Sequence, residues 1–276
     1  MPPSPEARSL AVFCDFENVA LGVREAKYAQ FDMEKVLERL LAKGSIVVKK
    51  AYCDWERYKE FKAAMHAASF ELIEIPHVRQ SGKNSADIRM VVDALDLCYT
   101  KSHVDAFVIV SGDSDFSPLV SKLRENNKTV IGVGVKKSTS DLLVSACDEF
   151  IYYDDLVRED RARKKPAASP SPRRKPAAGS PAPVEPPATN PKLQEALDLI
   201  VATVEALVEE RGEDEPVWGS MVKQTLKRRK PGFNESYYGF KSFNALLEEA
   251  KARHLLELER DEKSGGYLAR AVAPER

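Results

Sequence analysis

Cysteine is scarce in this chain and follows no pattern. Four occur in 276 residues, Cys14, Cys53, Cys98 and Cys147. No pair has Cys-x-x-Cys spacing, which argues against a zinc site. Each lies in an apolar strand-like or helix-like run, the setting of a buried free thiol in a reducing compartment. Long apolar runs are missing too. None approaches the ~18 residues of a membrane span, and the opening Met1-Pro-Pro-Ser-Pro-Glu-Ala-Arg8 has no apolar signal core. An excess of one charge is also absent. The net charge is -1 with 31% charged residues, so bulk charge selects no partner and only local charge can. These absences predict a cytoplasmic chain with no membrane partner, and its length suggests about two domains.

A third shortage divides the chain. From Arg161 to Pro191 there is no aromatic residue, and Val184 is the single large aliphatic side chain. Such a stretch buries too little apolar surface to offset its ordering entropy, and it reads as an extended Pro/Ala/basic linker over 158–191. Its basic clusters (Arg161, Arg163, Lys164, Lys165, then Arg173, Arg174, Lys175) leave two readings open, a solubilising tether or a contact to a polyanion.

On the N-terminal side, residues 8–157 alternate in pattern. Short apolar runs rich in β-branched and aromatic residues fall at 10–14, 46–53, 70–75, 106–111, 129–135 and 149–153. Helical spacing occupies 32–43, 55–68, 85–100, 116–126 and 139–147. Strands alternating with helices predict an α/β fold, a mostly parallel sheet with helices on both faces. Ligands of such sheets bind beyond the carboxyl ends of the strands.

Acidic residues gather where strands should end or helices begin. Asp15 closes the first strand in Leu10-Ala-Val-Phe-Cys-Asp-Phe-Glu-Asn18, and Asn18 adds an amide suited to a metal-bound water or a phosphate oxygen. Glu17 would point to the other face if the strand continued. Asp87 lies in the first helical turn of Lys83-Asn-Ser-Ala-Asp-Ile-Arg89, with Asn84 or Ser85 as N-cap. There it compensates the helix dipole, worth ~0.5 kcal/mol. An apolar face of Ile88, Val91, Val92, Leu95 and Tyr99 would put Asp87 on its rim and leave Asp93 and Asp96 solvated. Asp113 and Asp115 sit in Ser111-Gly-Asp-Ser-Asp-Phe-Ser-Pro118, where Gly112 permits a sharp turn. Asp54 ends the second strand and is a further candidate acid. Capping explains any one of these acids. Together on one sheet edge they would repel, and a divalent cation relieves that cost while supplying chemistry.

The same strings resemble a known family. Phe13-Cys-Asp-Phe-Glu-Asn18, the run from Gly82 to Leu95, and Val110-Ser-Gly-Asp-Ser-Asp-Phe-Ser-Pro-Leu119 are similar, in order and placement, to the NYN domain. That domain is a branch of the PIN-like, flap-nuclease-like nucleases with a Rossmannoid sheet. The resemblance implies a metal-dependent ribonuclease. Asp15, Asp87 and Asp113 would be ligands of Mg²⁺ or Mn²⁺, hard ions suited to carboxylate oxygens. Asp115 and Asn18 would assist. Asp93 matches the family pattern, although the helix geometry above places it away from the apolar face. One ion would activate water for in-line attack, and a second about 4 Å away would stabilise the leaving oxygen. Lys83, His77, Arg79, Lys136 and Lys137 are placed to meet phosphate or merely to be solvated.

Residues 192–272 read as a separate unit. Helices are expected at about 191–210, 217–229 and 235–252, followed by two strands flanking Asp261-Glu-Lys-Ser-Gly265 as a hairpin. Three helices and a hairpin make a winged-helix arrangement. The string from Trp218 to Leu247, with its Pro-Gly-Phe and Tyr-Gly-Phe-Lys-Ser-Phe segments, resembles the OST-HTH, or LOTUS, domain. That resemblance implies RNA binding or docking of a protein partner. Lys223, Lys227, Arg228, Arg229, Lys230 and Lys241 would supply a basic patch for phosphates, and Tyr237 or Tyr238 a stacking surface. Phe233, Phe240 and Phe243 are expected in the core. Two other readings are weighed against the ribonuclease. One is a non-catalytic RNA-binding protein of the same fold. The other is a phosphoryl-transfer domain, disfavoured because Asp15-Phe-Glu17 departs from Asp-x-Asp.

Overall fold

The computed structural model describes residues 8–28, 31–75, 85–164, 191–212, 215–261 and 266–271. His77, Arg79, Lys83 and Asn84, the segment 165–190 and the hairpin turn 262–265 lie outside the described residues. The described chain falls into two compact units.

The first unit runs β1 (Arg8–Asp15), α1 (Phe16–Glu25), α2 (Met33–Leu41), β2 (Gly44–Cys53), α3 (Lys59–Ala67) and β3 (Glu71–Glu74). It continues with α4 (Ser85–Thr100), β4 (Ala106–Val110), α5 (Ser117–Glu125), β5 (Thr129–Gly134), α6 (Asp141–Ala146), β6 (Glu149–Tyr152) and α7 (Tyr153–Lys164). All six strands are parallel, in the order β3-β2-β1-β4-β5-β6. From β1 the chain winds outward to β3, then returns to lay β4 on the other side of β1. The winding direction reverses between β1 and β4, and that reversal opens a crevice at their carboxyl ends.

Burial explains why the central strands read as unbroken apolar runs. Leu10 to Cys14 of β1 and all of β4 are buried, because helices cover both faces. On one face, alternate strand residues Leu10, Val12 and Cys14 pack with Phe16, Val19 and Val23 of α1, Val36 and Leu40 of α2, and Met65 of α3. On the other, Ala11, Phe13, Phe107 and Ile109 pack with Met90, Ala94 and Cys98 of α4, Leu119 and Leu123 of α5, and Leu143 of α6. All four cysteines are buried and unpaired.

Three elements depart from the sequence reading. The strand does not continue past Asp15; the chain enters α1 at once, so Glu17 sits in the first turn of a helix rather than on a strand face. Helix α4 is rotated relative to its apparent apolar stripe. Its buried residues are Met90, Ala94 and Cys98, whereas Ile88, Val92 and Tyr99 are 63%, 55% and 65% exposed. Small and flexible side chains let the helix lie close on the sheet, which the larger branched ones would hold off. Finally, α7 carries on across residue 158, where composition placed the linker's start. Its beginning is pinned by buried Tyr153 and Leu156, and the Tyr153 hydroxyl accepts a hydrogen bond from the Asp32 backbone at 3.0 Å.

The second unit, Arg158–Leu226 and Asn234–Arg276, contains α8 (Pro191–Arg211), β7 (Val217–Trp218), most of α9 (Gly219–Arg229), α10 (Phe243–Ala252), β8 (Leu256–Arg260) and β9 (Tyr267–Ala271), while Lys227–Phe233 group with the first unit. The strands form an antiparallel sheet in the order β7-β9-β8. The expected single helix over 235–252 is broken. A 3-10 turn at Glu235–Tyr238 ends on Gly239 at φ 93°, a left-handed conformation glycine tolerates, and Ser242 then caps α10. Ala196, Leu197, Ile200 and Val204 of α8 are buried, as are Leu226 of α9 and Leu246, Leu247 and Ala250 of α10. Phe233 and Phe243 are buried as expected, while Phe240, Tyr237 and Tyr238 are half-buried.

Candidate active site

The site is built on the strand-to-helix junction at Asp15. As the N-cap of α1, its Oδ1 accepts from the Asn18 backbone N–H at 3.3 Å. Its Oδ2 accepts from the Ser111 hydroxyl at 3.0 Å, across the β1/β4 reversal. The Ser111 oxygen in turn accepts from the Asp113 backbone N–H at 3.2 Å. Asn18 closes the circuit, since its Oδ1 accepts from the Gly112 N–H at 2.9 Å. Two of these four hydrogen bonds, Ser111 to Asp15 and Gly112 to Asn18, tie the two strand ends together, and the other two shape each end. Asn18 was expected to offer its amide, through the carbonyl oxygen or the NH₂ group, to a metal-bound water or a phosphate oxygen. The carbonyl oxygen is occupied in holding the 111–113 turn, which leaves its NH₂ group for any outward contact.

Gly112 is required for closeness rather than for an unusual dihedral. A Cβ there would stand 2.4 Å from the Ser138 carbonyl oxygen. Asp113 caps the 3-10 turn Ser114–Phe116 by accepting from the Asp115 N–H at 3.0 Å. Asp113 is half-buried and Asp115 exposed.

The electrostatics bring these acids together. Asp15 is only 7% exposed, and burial, followed by the Asp87 charge, raises its pKa to about 7. The hydrogen bonds from Asn18 and Ser111 oppose that shift, while the Asp113 charge adds to it. Asp87, half-buried in the first turn of α4, is raised to about 6 by burial and then by the charges of Asp113, Asp115 and Glu17. Asp87 and Asp113 therefore act on Asp15, and Asp113, Asp115 and Glu17 act on Asp87. Glu17, set aside in the sequence reading, forms an ion pair with Arg57 at 3.3 Å. Its signal was present, a second acid two residues beyond Asp15, but was hidden by reading the strand too far. Ser111 was likewise missed; a serine between a strand and an acid carries no signal of its own.

The other candidates are placed elsewhere. Asp93 is not solvated. Its carboxylate accepts from the Tyr52 hydroxyl at 2.9 Å and from Arg89 Nε at 3.0 Å, with Lys50 at 3.6 Å, which makes it a strut between α4 and β2. Asp54 caps the turn that follows β2, accepting from the backbone of Glu56 at 3.2 Å and Arg57 at 3.4 Å. It is not among the charges acting on Asp15 or Asp87. Lys136 and Lys137 are exposed on a turn just after β5, on the same edge as the acids. In the second unit, Lys223 is paired with Glu235 at 2.8 Å and Lys241 is exposed, whereas Lys227, paired with Glu149 at 3.0 Å, and the exposed Arg228, Arg229 and Lys230 group with the first unit. Lys227, Arg228 and Arg229 fill the last turn of α9, where cations offset the negative end of the helix dipole.

The donor set is all oxygen, the chemistry that hard divalent ions take. Asp15 and Asp87 are raised in pKa by burial and then by neighbouring carboxylate charge, which a cation would oppose. Among the described residues no three His, Cys, Asp or Glu side chains already stand close enough to hold an ion.

A six-stranded parallel sheet with acids at its reversal point has the layout of a PIN-like nuclease domain. Residues 9–154 match the NYN domain, and this chain belongs to that family. The family lies within the PIN-like nuclease superfamily, whose members are generally RNase-like hydrolases. An uncharacterized protein of Methanocaldococcus jannaschii is 27% identical over 137 residues, covering 50% of this chain and 54% of its own. The chain thus spans about half the length of the curated relative it matches. A crystal structure of a protein of unknown function from Vibrio parahaemolyticus is 29% identical, with a TM-score of 0.49, over 55% of this chain and 97% of that one. Among the described residues no helix is long and apolar enough to cross a membrane.

Proposed function

We propose that the chain is a metal-dependent ribonuclease, an endoribonuclease that hydrolyses RNA phosphodiesters, with a second unit that is a winged-helix module of the OST-HTH, or LOTUS, type. The observation that carries the nuclease reading is the convergence of Asp15, Asp87 and Asp113 at the β1/β4 reversal of an NYN domain, where the charges of Asp87 and Asp113 add to the burial that raises Asp15 and the charge of Asp113 adds to the burial that raises Asp87. Buried carboxylates held beside further acids are costly unless something positive is meant to join them.

In this reading Asp15, Asp87 and Asp113 hold Mg²⁺ or Mn²⁺. A bound ion of this kind lowers the pKa of a coordinated water and neutralises charge on the scissile phosphate. The chain's own part is positional. Ser111 and the Asn18 N–H fix both oxygens of Asp15, so the carboxylate meets its ligand without reorganising. Asn18 and Gly112 hold the turn that presents Asp113. Asp115 assists from the exposed rim, and Lys136 and Lys137 meet the phosphates flanking the cut.

The support for the second unit's type is its three helices, its antiparallel strands and the Trp218–Leu247 string. We assign it RNA capture, with docking of a protein partner as the other use of the same domain. Held on the same chain, it raises the concentration of RNA at the acidic site.

The test is incubation of the full chain with total RNA and Mg²⁺ or Mn²⁺, beside Asp15→Asn and Asp113→Asn, followed by mapping of the cut ends. Internal cuts made by the native chain and lost in both variants are expected. Intact RNA under every condition would leave a non-catalytic RNA-binding protein of this fold.

A further inference from the structure

The second unit contains a cleft of about 680 Å³. Its wall brings together Trp218, Ser220, Lys223, Lys241, Ser242 and Asn244. These residues come from two places that the sequence keeps apart, the start of α9 and the start of α10. Gly219 is buried on this wall, where a Cβ would meet the end of the Leu247 side chain, Cδ1 at 2.9 Å, and stand at ordinary contact distance from Tyr267. Neither helix has an acidic residue in its first turn. Backbone N–H groups, two hydroxyls and an amide thus line a cleft that also holds two lysines.

The lysines are not equivalent. Lys223 is already matched by Glu235 at 2.8 Å, and its ammonium stands 5.8 Å from the centre of the Phe243 ring. Lys241 is exposed and makes no ion pair among the described residues. One positive charge is left over for a ligand. Trp218 is half-buried on the wall, and its indole N–H has no partner among the described residues. Tyr267 also faces the cleft, with its hydroxyl donating to Glu248. A concave site with a cation, several neutral donors and an aromatic face suits one phosphate beside one base.

We propose that this cleft seats a phosphate of single-stranded RNA against Lys241 and the starts of α9 and α10, with the adjoining base stacked on Trp218. The proposal rests on the reading of the second unit as an RNA-binding module and sharpens it. It divides the basic cluster, giving Lys241 the ligand and leaving Arg228, Arg229 and Lys230, at the far end of α9, outside the cleft.

The chain has two tryptophans, and Trp55 is 1% exposed in the core of the first unit, so quenching by RNA reports Trp218. The full chain is titrated with fluorescein-labelled oligouridylate in EDTA, so that no cleavage occurs. Native protein should bind with quenched emission, and Trp218→Phe should abolish the quenching. Lys241→Glu should weaken binding about tenfold and lower the slope of log K against log salt by about 0.7, the share of one phosphate on a single strand. Lys241→Glu alone decides if Trp218→Phe proves unstable, since Lys241 is an exposed side chain. Native affinity and salt slope in Lys241→Glu, quenching that survives Trp218→Phe, or no binding of the oligonucleotide would each overturn the proposal. Binding with these signatures in a protein that cuts no RNA would remove the nuclease reading and leave the cleft standing. Cleavage with binding indifferent to both variants would do the reverse.

Discussion

At the residue scale, the acids of the first unit work against the fold that carries them. Asp15 has a folded pKa of about 7 against an ordinary 3.8, so the folded protein binds this proton more tightly than the unfolded chain. Stability therefore falls as pH rises from about 4 to about 7, and the full cost remains above that range. Asp87 behaves in the same sense with a folded value of about 6. In EDTA at pH 8, Asp87→Asn should melt about 2–5 °C above the native protein, and the gap should close by pH 4. Equal melting curves at pH 8 would show that the acids do not repel. Adding Mn²⁺ should raise the native melting temperature and raise that of Asp87→Asn much less.

Ser111 makes a sharper case, because it touches the acid rather than being one. Ser111→Ala removes a donor that lowers the Asp15 pKa. The acid limb of the pH profile of cleavage should move upward, with about 1 kcal/mol lost in stability. A profile that merely scales down, without shifting, would make the serine a packing residue. The sequence made Asp15, Asp87 and Asp113 legible because acids at strand and helix ends are unusual in apolar surroundings. It could not show Ser111 or the true use of Asn18. Both act through contacts across more than 90 positions, at separations of 96 and 94.

At the element scale, the alternation of strands and helices was readable because each strand is short, apolar and bounded by a helical pattern. Helix α4 shows where such reading stops. Of its expected apolar stripe, Val91 and Leu95 pack against the core while Ile88, Val92 and Tyr99 face outward, and the fully buried positions go to Met90, Ala94 and Cys98. A periodicity identifies a helix without saying which of two faces the sheet selects. Met90→Ala should cost about 2–4 kcal/mol in denaturant unfolding, and Ile88→Ala close to nothing. The opposite ranking would restore the sequence reading. Helix α1 was missed for a different reason. A β-type run ending in an acid reads as strand until the side chain is seen to cap, and Asp15 does so within one residue of the strand end. The break at Gly239 was equally hidden, since its two flanking segments both carry helical spacing.

At the scale of the whole molecule, composition marks two segments, 8–157 and 192–272, on either side of a stretch with almost nothing to bury, whereas the two compact units divide after Val157 and place Lys227–Phe233 with the first. Their joint use is where a prediction belongs. If the second unit gathers RNA for the first, residues 1–164 and 191–276 supplied as separate polypeptides should cleave with a KM at least about tenfold higher than the intact chain and a similar kcat. An unchanged KM would assign the second unit to something other than substrate capture.

The four buried thiols have a practical consequence. Burial pushes Cys14 far above the ordinary thiol range and Cys147 up to about 12, so neither is reactive in the native state at neutral pH. They lie on β1 and just beyond α6, while Cys53 and Cys98 lie on β2 and α4. Each can be alkylated only when its own element opens. With no engineering, timed labelling and peptide mass mapping would therefore record the order in which the first unit comes apart.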